Sequence, residues 1–299
     1  MTKYFSPTSD LVFKKVFASR QNADITIELL NTLLGKQEGR RIVHITFLET
    51  SNIPEIARNK PTHVDLRCQD EKGDQYIVEM QVGAEDSFFK RAQYYSAVTV
   101  SNQLIRATAY EALMPVYFIA ILDFTLFKEL TNYFNVFILK HDETNIVHHD
   151  TLGCYTFIEL PKFKKKEKDL ATHIDAWINL FKRADQEAQV PKQFESYAPI
   201  AKAYKELSAA NYSPAEQRAY EKELDILRLE QGKLNTATRQ GHAEGKAEGE
   251  AEGKYKQALE TAKSLLQDGL SVQKVMHYTG LDEQTIQEIK KKTKESGPN

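Results

Sequence analysis

No run of this 299-residue chain is long and apolar enough to cross a bilayer as a helix, so no membrane-spanning role is expected. Cysteine is scarce. Cys68 and Cys154 make no CxxC pair, which argues against a disulfide framework or a structural zinc site. Such usage fits a reducing, intracellular setting. The opening Met1-Thr2-Lys3-Tyr4-Phe5-Ser6-Pro7 lacks an apolar signal core, and a cytoplasmic protein is expected. Excess positive charge is also missing. The formal net charge is −2, so any DNA contact must come from a local patch rather than a basic coat. A Gly-rich phosphate loop is absent, which removes a nucleotide cofactor from consideration. No Ser or Cys nucleophile stands beside a supporting His. The composition that remains is 41% hydrophobic and 27% charged, that of a globular protein, and the length can hold one large domain or a core domain plus a smaller one.

Within that frame, one stretch carries chemistry. His63-Val64-Asp65-Leu66-Arg67-Cys68 reads as a strand, residues 70–73 as a tight turn ending in Gly73, and Gln75–Val82 as a second strand. Side chains alternate along a strand, so Glu79 and Gln81 share a face. Pairing about the turn brings Asp65 near Glu79, and two carboxylates with a polar neighbour suit a hard divalent cation. His63 lies two residues before Asp65, on the same side of an extended strand.

The flanking segments read as helices and strands. Thr8 or Ser9 can cap a helix over 10–19, with Val12, Phe13, Val16 and Phe17 on its apolar face and Lys14 and Lys15 off it. Asn22 can cap a second helix that Gly35 stops. Glu28 inside it is either a surface charge or a third carboxylate for the cation. Ile42–Leu48 alternates as a strand, and residues 49–61 read as irregular. A long helix is expected over 85–109, carrying Lys90 and Arg91 near its start. Val116–Leu122 has the continuous apolar character of a strand buried on both faces. Tyr133–Leu139 and Tyr155–Leu160 complete the strands. A central mixed sheet flanked by helices buries this α/β set.

From Lys168 the pattern is helical only. Gly241-His-Ala-Glu-Gly245-Lys-Ala-Glu-Gly249-Glu-Ala-Glu-Gly253 repeats every four residues. Each glycine costs a helix about 1 kcal/mol, so the repeat reads as a semi-flexible tether or as a close helix pair. Residues 255–299 read as three short helices separated by Gly269 and Gly280, in outline a helix-turn-helix or a protein-contact module. From Gly241 on, nine Lys and Arg stand against ten Asp and Glu, which is unlike a strong phosphate binder. Self-association through this helical region is expected.

The Asp65…Glu79-x-Gln81 hairpin resembles the core of the PD-(D/E)XK nuclease superfamily, in the form where the final Lys is replaced by Gln. Ser9-Asp10-Leu11-Val12-Phe13-Lys14-Lys15-Val16-Phe17, Leu29-Leu30-Asn31-Thr32-Leu33-Leu34 and Arg91-Ala92-Gln93-Tyr94-Tyr95 further resemble the Rpn family of recombination-promoting nucleases and transposase-like proteins. The resemblance implies a restriction-endonuclease-like core over 1–165. A helical extension over 166–240, the repeat as a linker over 241–254, and a three-helix unit over 255–299 follow it. It also implies a Mg²⁺-dependent DNA endonuclease linked to recombination. The alternative is a catalytically weak, nuclease-derived DNA-binding or assembly module. In the catalytic version Asp65 and Glu79 hold the metal with the Met80 carbonyl, Gln81 orients the attacking water, and Glu28 can complete the shell. Lys14, Lys90 and Arg91 are then candidates for contact with the DNA backbone.

Overall fold

The structure is a computed structural model and describes residues 3–52, 62–104, 109–148 and 150–295. It divides into two units, Met1–Ile226 and Leu227–Asn299.

The first unit opens with α1 (Asp10–Phe17) and α2 (Ala23–Leu33). Of the two capping candidates for α1, Ser9 is the one used: its Oγ accepts the Val12 N–H. Asn22 precedes α2 without capping it. Its side chain instead donates to the Lys15 carbonyl, in a long bond of 3.4 Å. Eight strands follow: β1 (Ile45–Phe47), β2 (Ser51–Asn52), β3 (Thr62–His63), β4 (Leu66–Asp70), β5 (Gln75–Gln81), β6 (Val116–Leu122), β7 (Phe134–Ile138) and β8 (Gly153–Glu159). Six of them form one sheet in the order β1-β4-β5-β6-β8-β7. β5, β6 and β8 run parallel, and the remaining pairings are antiparallel, so the sheet is mixed as expected. The helix α3 (Phe88–Leu104) makes the crossover from β5 to β6. Residues 105–108 of the helix expected over 85–109 lie outside the described residues, as does most of the irregular segment over 49–61, and Ala109 is extended rather than helical. β6 sits between two parallel neighbours, which explains its uninterrupted apolar sequence.

Two apolar layers sandwich the sheet. On one face α1 and α2 pack with α4 (His173–Arg183), α5 (Ala198–Leu207) and Tyr220 from the start of α6 (Pro214–Gln267). Phe17 meets Trp177 at 6.2 Å and Phe181 at 5.1 Å between ring centres. On the other face Phe88 and Ala92 of α3 cover Phe118 and Phe157. This is the restriction-endonuclease-like arrangement, with helices on both sides of a mixed sheet. Trp177, Phe181, Ile200 and Tyr204 share one core with Phe13 and Phe17, so residues from 166 to Ile226 belong to the first unit.

Three local readings differ from the sequence pattern. Val43 does not share the buried face of Ile45. It is 73% exposed, and the strand begins only at Ile45. The strand expected through His63–Cys68 is broken at Asp65, and β3 pairs with β2 instead of extending β4. The Gly repeat is helix, not a tether: α6 continues through it. Ala, Glu and Lys between the glycines are strong helix formers, and Lys256 pairs with Glu252 one turn away at 2.7 Å. The second unit closes with α7 (Val272–Thr279) and α8 (Glu283–Glu295), whose Val275 and Ile286 are buried with Ala262 of α6. Gly269 and Gly280 take positive φ at the two turns, as their roles as stops require. Among the described residues no helix is long and apolar enough to cross a membrane.

A Cβ added at Gly245 or Gly249 would meet nothing within 4 Å. Gly245→Ala and Gly249→Ala should therefore stabilise the helix by up to about 1 kcal/mol each. Thermal melting of the full chain followed by circular dichroism tests this. A loss of stability or of oligomeric state would instead mark the glycines as a packing seam.

Candidate active site

The break at Asp65 has a physical cause. The antiparallel ladder between β4 and β5 ends at the Leu66–Val78 pair. One rung further, side chains replace the backbone bonds. The Asp65 N–H donates to Glu79 Oε2 at 3.3 Å, and the Met80 N–H donates to Asp65 Oδ2 at 2.8 Å. Each acid thus takes a backbone hydrogen bond from the other strand, and the two carboxyl groups are held together at the end of the hairpin. The turn behind them is equally specified. Asp70 Oδ1 accepts the Lys72 and Asp74 N–H groups, and Gly73 takes φ +96°. A side chain there would be strained and would press on Met114, 3.2 Å away.

Along β5, Tyr76, Val78 and Met80 enter the core with α1 and α2, whereas Ile77 lies in the layer under α3. Glu79 and Gln81 share the latter face by strand alternation. Glu79 is only 5% exposed. Burial first, then the Asp65 charge and the hydrogen bond shared with it, push the Glu79 carboxyl well up, to about 9; Arg91 opposes this. Burial also raises Asp65, against the Met80 N–H and the bond to Glu79, with Asp10 adding to the rise and Lys14 reducing it. Without a cation the pair therefore retains a proton, because two buried like charges in contact cannot both ionise cheaply.

The other candidate residues fall into two groups. Gln81 points its Oε1 at Arg91, whose Nη2 donates to it at 2.6 Å, and its Nε2 donates to the Val82 carbonyl at 3.2 Å. Arg91 also pairs with Glu85 at 2.8 Å and lies over the Phe88 ring at 4.7 Å. Lys14 pairs with Asp10 on α1, at 2.7 Å, and both act on Asp65. Lys90 is exposed on α3. Glu28 is not brought to the acidic pair. It binds Arg41 and accepts the Tyr197 hydroxyl at 2.8 Å. Among the described residues no third His, Cys, Asp or Glu joins a metal-sized cluster. The side chain of His63 lies outside the described residues.

Two contributors were not legible as site residues. Glu85 is one, although its six-residue spacing from Arg91 across a helix start is a usable signal. The other is Glu223 on α6, which accepts both the Ser9 hydroxyl and the Asp10 N–H at 2.6 Å and so fixes the start of α1 beside Asp65. Nothing local in sequence links residues that far apart.

A family model described as PD-(D/E)XK nuclease family transposase matches residues 7–237. Searches of curated proteins and of solved structures return no match.

The raised carboxyls have a consequence for stability. A group whose folded pKa exceeds its unfolded value stabilises fully below the unfolded value, and that contribution is lost as pH rises toward the folded one. In the absence of divalent cations, wild type should lose stability relative to Glu79→Gln between pH 5 and pH 9. The slope should reach about 1.4 kcal/mol per pH unit. Urea unfolding of both proteins across this range measures it, and parallel curves would show that the acids are not coupled as described.

Proposed function

Because the chain belongs to the PD-(D/E)XK nuclease transposase family, we propose that it is a cytoplasmic, divalent-cation-dependent DNA endonuclease acting in recombination or the movement of DNA. The observation that carries this reading is the Asp65–Glu79 pair, two acids held together by reciprocal backbone bonds and driven by burial and mutual repulsion to hold a proton between them.

The donor set fits a hard cation. Asp65 and Glu79 offer carboxylate oxygens. Within a strand a residue's N–H and C=O point to the same side, so Met80 directs its carbonyl toward the side of Asp65. Magnesium is commonly held by one or two carboxylates, with water and substrate phosphate completing the shell. Two acids without a third His, Cys, Asp or Glu among the described residues match that habit better than a closed zinc site. Such a cation would polarise a phosphate oxygen and lower the pKa of a bound water. The protein's own groups do the rest. Displacement of the shared proton frees both carboxylates to bind. Burial of Glu79 keeps bulk water from its buried side. Lys14, now paired with Asp10 on α1, and the exposed Lys90 on α3 are the candidates for the phosphate backbone, as local charges on a chain of net charge −2.

We assign self-association to the helical second unit, Leu227–Asn299, as the means of bringing two sites to one duplex. Sedimentation of the chain truncated before Gly241 should give a smaller species than the full chain, and an unchanged size would refute that role.

The experiment for the activity is nicking of supercoiled DNA with Mg²⁺ or Mn²⁺. Asp65→Ala or Glu79→Gln should lose several kcal/mol of transition-state stabilisation, on the order of 10³-fold in rate. Equal nicking by wild type and Asp65→Ala, or none by either across a metal screen, would remove the nuclease reading and leave a DNA-binding or assembly module.

A further inference from the structure

Hydrolysis of a phosphodiester develops extra negative charge on the phosphate oxygens, and a positive side chain beside the metal normally answers it. At the position where the superfamily carries Lys this chain has Gln81, whose amide supplies no charge. The charge is nevertheless present. The Arg91 guanidinium reaches the same place from α3, bonded to Gln81 Oε1 at 2.6 Å and to Glu85 at 2.8 Å. It rests on the Phe88 ring at 4.7 Å and lies 5.9 Å from Tyr95. Its field reaches Glu79. The amide of Gln81 is in turn oriented by its own bond to the Val82 carbonyl, which leaves Oε1 facing the guanidinium. An arginine has five N–H donors in a rigid fork, and the bonds to Gln81 and Glu85 occupy two of them. This is the geometry of a cation fixed in advance rather than a surface residue waiting for a strand of DNA: its side chain is 27% exposed and held on three sides.

We propose that Arg91 is a catalytic residue that donates to the scissile phosphate, replacing by its charge the missing Lys, with Gln81 and Glu85 as positioning residues. This rests on the nuclease reading above. In the step concerned, a water oxygen bonds to phosphorus and the bond from phosphorus to the leaving sugar oxygen breaks, its electron pair going to that oxygen. The water loses a proton to solvent and the leaving oxygen gains one. Arg91 transfers no proton and stabilises the charge on the non-bridging oxygens.

The test compares wild type, D65A, R91Q, R91K and the double variant Q81K/R91Q. Single-turnover cleavage is measured at saturating DNA, with equilibrium DNA binding in Ca²⁺ as a readout independent of turnover. R91Q should lose on the order of 10²- to 10³-fold in cleavage rate, the usual effect of removing one donor to a transition-state oxyanion. Its DNA affinity should stay within about threefold, a change worth less than 1 kcal/mol. Q81K/R91Q should recover at least tenfold over R91Q, because an ammonium then stands where the superfamily places it. R91K keeps the charge and the stem, so it should cleave faster than R91Q, and it covers the case in which R91Q folds poorly. A residue that only contacts the backbone behaves differently. R91Q would then weaken binding and lower the salt slope by about 1, with the saturated rate unchanged and no rescue by Q81K. That result overturns the proposal. If wild type and D65A are equally inactive, the nuclease reading itself fails and takes the role of Arg91 with it. If wild type cleaves, D65A does not, and R91Q cleaves normally, only the role of Arg91 fails.

Discussion

Two carboxylates that must touch, and that repel one another, set the terms for the rest of the hairpin. Asp65 and Glu79 meet because each accepts a backbone N–H from the opposite strand where the β4–β5 ladder would otherwise make its next backbone bond. The exchange is local and geometric, so it survives even though it breaks the strand at Asp65. It also holds both acids where they are buried, and that burial raises their proton affinity. A site held this way does not readily carry two bare negative charges, and under the proposed function a cation would relieve that repulsion.

Holding that pair requires elements far apart in sequence. α1 brings Asp10 and Lys14 to Asp65, and α1 is itself positioned at both ends. Glu223 binds its first turn, and Phe13 and Phe17 are packed against Phe181, with Phe17 also on Trp177. Lys15, on the same helix, pairs with Glu216 at 2.7 Å. The start of α6 is therefore part of the framework around the acids, and the helices after residue 165 complete the first unit instead of following it.

Much of this was legible, and the failures are instructive. β6 could be read almost residue for residue because a strand between two parallel neighbours must be apolar throughout. Asp65 and Glu79 could be brought together because a short turn with Gly73 fixes the register of the hairpin, with Gln81 on the strand face of Glu79. The break at Asp65 could not, since nothing in a run of strand-forming residues announces that side chains will take over the ladder. Glu28 was ambiguous for the opposite reason: a helix period gives its face, but not that Arg41 and Tyr197 would claim it. The Gly repeat went the other way. Propensity there was a contest between glycine's cost and the helix preference of Ala, Glu and Lys, and counting the intervening residues decides it in favour of helix. Val43 shows the limit of alternation, since it falls inside the alternating pattern Ile42–Leu48 but outside the strand Ile45–Phe47 and is exposed.

The Gln at position 81 follows from the same constraint. A Lys there has three donors and no acceptor, so it could not receive the Arg91 N–H and would set a second positive charge against the guanidinium. Gln81 does accept, and its own N–H is taken up by Val82, so the amide joins the strand to α3 without adding charge. Position 81 and position 91 are thus one choice: either a cation rises from the strand, or it comes down from the helix and the strand must offer it an oxygen. This chain takes the second arrangement. Its positive charges are consequently carried by helices on both sides of the acids, Lys14 on α1 and Arg91 on α3, while the sheet supplies only acids and an amide. Charge balance at the acids is then set by how tightly those two helices are packed, which is why the aromatic contacts under α1 and the Phe88 ring beneath Arg91 belong to the site as much as the carboxylates do.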